Sequence, residues 1–122
     1  MKEHLFEQPY DKSNNIWIVK AYFDSIYDSG NFLEAIEKLL FGIGFSIDGA
    51  YCSFPNNNSY YAEDHFEGVK FNYGYIEDEE VIIDKEVFYE YIKESCLRYV
   101  EKHPNNKFQI SSYIEILNRS SS

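Results

Sequence analysis

Apolar positions fall first into a helical rhythm at Ile16, Val19, Phe23, Ile26 and Tyr27, a spacing that buries one face of a helix. Asp28-Ser29-Gly30-Asn31 interrupts it, and Gly30 suits a helix C-cap. The rhythm resumes with Asn31 as N-cap and a stripe of Phe32, Ala35, Ile36, Leu39 and Leu40, closed by Gly42 and Gly44. Two helices joined by so short a link predict an antiparallel helical hairpin. Residues 1–15 ahead of it are polar, with Pro9 and Asn14-Asn15, and read as an N-terminal arm.

From Phe45 the period changes to two. Phe45-Ser46-Ile47 alternates and meets Asp48-Gly49, a tight-turn signal, with Ala50 to Phe54 as the next strand. After the loop Pro55-Asn56-Asn57-Asn58-Ser59, the apolar positions Val69, Phe71 and Tyr73 alternate with Lys70 and Asn72. Glu77-Asp78-Glu79-Glu80 reads as an exposed turn, and Val81-Ile82-Ile83 as a short buried strand. Asp84 is a good N-cap for a long helix over 85–103, lined by Val87, Phe88, Tyr91, Ile92, Cys96, Tyr99 and Val100. Pro104-Asn105-Asn106 stops that helix. A short one over 108–118 follows, with Phe108, Tyr113, Ile114 and Leu117 as its apolar residues and 119–122 as a frayed tail.

The expected fold class is α+β: a helical hairpin, a small mostly antiparallel sheet, a long helix and a short C-terminal helix, with the helices on one sheet face. All 122 residues fit a single domain, and no internal repeat or linker divides them.

Composition narrows the possible partners. There are 21 acidic and 11 basic residues, giving a net charge of −10. A nucleic-acid phosphate backbone or an anionic membrane would repel such a chain, so the expected partner is a basic protein. The charge is also uneven: residues 63–86 hold nine carboxylates against Lys70 and Lys85, a local −7. Tyr60, Tyr61, Tyr73 and Tyr75 are interleaved with this stretch. Rings that anchor beside charges that steer suit a protein-binding face. The candidate contact residues are therefore Glu63, Asp64, Glu67, Glu77, Asp78, Glu79 and Glu80 with those four tyrosines.

Catalytic signals are weak by comparison. His4, His65 and His103 lack metal-ligand spacing, and adjacent carboxylates in Glu63-Asp64-His65-Phe66-Glu67 read as a solvated loop. Cys52 falls in an apolar strand and Cys96 on a helix stripe, so both read as small core residues. No catalytic residue, cofactor or metal is expected, and the chain is read as a non-enzyme. No apolar run has the length of a signal peptide or membrane span, and two widely separated cysteines suit reduced thiols, so a cytoplasmic location is expected.

The stretches Glu67-Gly68-Val69-Lys70-Phe71, Glu79-Glu80-Val81-Ile82-Ile83-Asp84, Glu86-Val87-Phe88-Tyr89-Glu90-Tyr91-Ile92 and Tyr99-Val100-Glu101-Lys102-His103-Pro104 resemble the immunity proteins of contact-dependent growth inhibition. More narrowly, they resemble the group that neutralises ribonuclease toxins. The likeness covers residues 26–104 and is firmest over 67–104. It implies a cytoplasmic inhibitor that binds a toxin's C-terminal domain one-to-one and blocks its active site. It carries over no catalytic residue, because such proteins have none. Two other readings stay open: an acidic binding module or nucleic-acid mimic with another basic partner, and a small carboxylate- or metal-dependent hydrolase.

Overall fold

The computed structural model describes residues 5–6, 10–11, 13–47, 49–55, 58, 60–61, 66–74 and 79–120. Its elements are α1 (Trp17–Asp28), α2 (Phe32–Leu40), β1 (Phe45–Ile47), β2 (Ala50–Ser53), β3 (Val69–Tyr73), β4 (Glu79–Ile83), α3 (Lys85–Lys102) and α4 (Lys107–Ser120). A single 3-10 turn, Pro104–Asn106, joins α3 to α4. The four strands form one antiparallel sheet in the order β1-β2-β3-β4. The fold is α+β, as the pattern predicts.

The link between α1 and α2 shows why the helical hairpin forms where it does. Gly30 takes φ 81°, its N–H reaches the Tyr27 carbonyl at 3.0 Å, and the Asn31 N–H reaches the Ile26 carbonyl at 3.0 Å. These two bonds satisfy carbonyls that the end of α1 would otherwise leave open, and a side chain at position 30 would strain the left-handed backbone they need. Asn31 and Asp84 occupy the predicted N-cap positions, although neither side chain makes a capping hydrogen bond.

Helix α1 is the spine of the core. Ile18, Val19, Tyr22, Phe23 and Ile26 are fully buried, and the helix packs on β2, β3 and β4. The Tyr22 ring meets Phe71 of β3 edge-on at 5.2 Å, and its hydroxyl donates to the Phe45 carbonyl at 2.7 Å, so its one polar atom is satisfied inside the core. Phe88 of α3 approaches Phe71 at 6.1 Å from the same side.

Part of the arm packs into this core. Leu5 and Phe6 are 3% and 6% exposed. Asp24, itself buried, accepts from the Leu5 N–H at 2.7 Å, the Phe6 N–H at 3.0 Å and the Tyr10 hydroxyl. Arg98 of α3 grips the same segment, with Nη1 donating to the Leu5 carbonyl at 2.9 Å and the guanidinium 4.9 Å from the centre of the Phe6 ring. A carboxylate takes the N–H groups and a guanidinium takes the carbonyl, so the backbone's polar groups are paired as the chain enters the core.

Four expectations need correction. Glu79 and Glu80 lie within β4, because the ladder pairs Tyr73 with Glu79 and Asn72 with Glu80, and so extends β4 to match all five residues of β3. Ile82 is 43% exposed, since alternation turns it to the face opposite Val81 and Ile83. In α4 the buried stripe is Ile110, Tyr113 and Leu117, while Phe108 is 90% exposed: the Pro104 turn starts the helix at Lys107, a phase that points residue 108 outward. This helix also continues past residue 118, with Arg119 Nη2 2.6 Å from Glu115.

Candidate functional site

The sheet has a packed face and an open one. Strand alternation sends Ala50, Cys52, Val69 and Phe71 inward, all of them buried. Their neighbours go outward and align across the ladders. One row runs Ser46, Tyr51, Asn72 and Glu80, and the other Ser53, Lys70 and Ile82. Tyr51 and Ile82 are 37% and 43% exposed, large apolar surface on a face that no helix packs against among the described residues. Asn72 Nδ2 donates to Glu80 Oε2 at 3.3 Å, and the Lys70 ammonium sits 4.4 Å from the centre of the Phe66 ring.

The described candidate contact residues do not gather on this face. Glu80 stands on it and is exposed. Glu79, also exposed, has the opposite parity and shares the inner side with Val81 and Ile83, opposite Tyr73. Tyr73 is half-buried, with Trp17 edge-on at 5.9 Å. Glu67 is exposed two residues before β3, and therefore lies at the other end of the ladder from Glu79 and Glu80, beyond a strand about 13 Å long. Gly68 holds that end tight: a Cβ there would come within 2.3 Å of the Ile83 carbonyl oxygen. Tyr60 and Tyr61 are largely exposed, their rings edge-on at 5.8 Å. Glu63, Asp64, Tyr75, Glu77 and Asp78 lie outside the described residues.

Sequence reasoning missed Tyr51 and Ile82. Alternation contained the signal: each sits between two inward apolar neighbours, so each had to face outward. A surface of this kind can bind. Its apolar residues supply desolvation energy when a partner covers them.

The same geometry offers little for covalent chemistry. Cys52 and Cys96 are free and buried; burial pushes both thiols up, Cys96 to about 12, so neither is a thiolate at neutral pH. Among the described residues no three His, Cys, Asp or Glu side chains are grouped to hold a metal ion. No described helix is long and apolar enough to cross a membrane.

The family model described as CDI immunity protein matches residues 15–114. Among solved structures, the crystal structure of an immunity protein from Neisseria meningitidis MC58 is similar in fold, with a TM-score of 0.77 and 20% sequence identity over 95% of this chain and 99% of that one. No curated protein matches the chain by sequence.

Proposed function

The chain belongs to the CDI immunity protein family, whose members protect against the toxins of contact-dependent growth inhibition, and from that premise we propose how it protects. It binds one cognate toxin domain, one-to-one and in the cytoplasm, by seating the open sheet face and the acidic end of the β3–β4 hairpin on the basic active site of a nuclease. A ribonuclease is the kind of nuclease the sequence resemblance implies. The observation that carries this reading is the open face itself, where exposed Tyr51 and Ile82 flank Asn72 and the Glu80 carboxylate on a chain of net charge −10.

The physics supports a division of labour. A nuclease presents cations to phosphate, so carboxylates offered in their place attract it from a distance and raise the association rate. Exposed ion pairs add only about 0.2–1 kcal/mol each. Tight binding then rests on the apolar groups at the centre of the contact. The test is titration of the toxin encoded beside this chain against its nucleic-acid substrates. Expected are stoichiometric inhibition at one-to-one and an association rate that falls as salt rises. A complex that forms while cleavage continues would overturn the occlusion, and a salt-independent association rate would overturn the steering.

A further inference from the structure

Helices α1, α2 and α3 meet at a cleft of about 310 Å³ that the sheet face does not share. Its size is at the lower end of small-molecule pockets, roughly 300–1,000 Å³, and suits a single side chain better than a cofactor. Its walls are aromatic. Phe32 and Tyr99 stack at 4.5 Å and 8°, and Tyr99 stacks at 4.5 Å and 25° on His103, the residue that caps α3 one turn later. Tyr27 stands across this column, edge-on to Tyr99 at 5.8 Å, with its hydroxyl 2.8 Å from His103 Nε2. The rings hold one another in place, so a ligand would meet a preformed wall.

Among the described residues the lining of the cleft holds two carboxylates and no lysine or arginine. Asp28 and Glu34 line it. The C-terminal ends of α1 and α3, each the negative end of a helix dipole, border it through Asp28 and His103. Helix α1 places Asp28 at that end with no basic residue in its last turn, the reverse of the usual complement. Opposing this are Lys102 in the last turn of α3, the positive N-terminus of α2, whose first turn already carries Glu34, and Lys38, 3.7 Å from Glu34.

We propose that this cleft binds a guanidinium group, presented as an arginine side chain on the surface of a basic protein. Aromatic faces and carboxylates together are what a planar, weakly hydrated cation requires: the rings attract it electrostatically and the acids accept its N–H groups. The site stands on its own residues and does not depend on the toxin-binding reading.

The test uses the purified chain and two probes of the same shape, N-acetyl-arginine amide and its uncharged isostere N-acetyl-citrulline amide, followed by NMR. The arginine derivative should saturate with shifts centred on Tyr27, Tyr99 and His103 and bind roughly tenfold more tightly than the citrulline derivative. The double variant Asp28→Asn, Glu34→Gln keeps side-chain shape, should retain its helical circular dichroism, and should lose most of that difference. Equal binding of the two probes would overturn the proposal. So would undiminished arginine binding by the double variant, or shifts confined to residues 79–86, which would mark a diffuse attraction to an acidic surface.

Discussion

The two faces of the sheet are made from the same strands and are finished in opposite ways. On the inner face Phe71 is fully buried among Tyr22, Phe23 and Phe88, and every ring there is committed to another ring. On the outer face, one residue along the same strand, Asn72 donates to Glu80, and the next strands carry exposed Tyr51 and Ile82. The inner face is closed by its own chain and therefore determines stability. The outer face is exposed, and on the proposed reading its residues act through binding rather than folding. Substitution on one face should move unfolding, and on the other it should move affinity.

Phe71→Ala should break the inner face most. Emptying a site enclosed by three aromatic neighbours removes the transfer energy and leaves a cavity, a loss of about 3–5 kcal/mol. The loss should appear in urea unfolding as a lower midpoint at unchanged slope. A loss below about 1 kcal/mol would mean that Phe71 is not central to the packing.

Asp24→Asn comes next and separates a buried carboxylate from the exposed ones of β4. Asp24 accepts from two backbone N–H groups and a phenol, and an amide would withdraw the charge from all three and turn one acceptor into a donor. The expected loss is about 2–3 kcal/mol. The arm should loosen first. Trp17, the chain's one tryptophan, is 9% exposed and stacks on Tyr10 at 6.4 Å, so its emission should shift to the red in this variant under native conditions. An unshifted spectrum at wild-type stability would show that the arm does not depend on Asp24.

How much of this was legible follows from the range of the interactions involved. The helical hairpin, the four strands and the long helix were readable because period and punctuation are local, as at Gly30. The length of β4 was not, because four consecutive acidic residues look like a turn until the register with β3 pairs Glu79 and Glu80. The outward phase of Phe108 follows from a turn whose geometry the apolar pattern does not encode. Asp24 sat unremarked on the face of α1, since its partners at positions 5, 6 and 10 are distant in sequence. The aromatic cleft was hidden in the same way: Tyr27 and Tyr99 read as members of two separate stripes, and only the packing of α1 against α3 brings them together with His103. On the candidate contact surface, composition gave the sign of the charge but could not tell which carboxylates share a face.

That last ambiguity yields the smallest and sharpest prediction. Glu79 and Glu80 are adjacent, both exposed and chemically identical, yet strand parity points them to opposite sides of the sheet. If the open face is the contact, Glu80→Lys replaces an attraction by a repulsion and should weaken the toxin complex about tenfold, roughly 1.4 kcal/mol, chiefly through slower association. Glu79→Lys changes the net charge by the same amount but stands on the inner side, so it should cost only about threefold, the part owed to long-range attraction. Both variants should keep wild-type stability to within about 0.5 kcal/mol, because neither carboxylate is buried. Equal losses would place the toxin on the hairpin end that both residues flank. The reverse order would move it to the side of Glu79 and Tyr73, and no loss in either would remove β4 from the contact altogether.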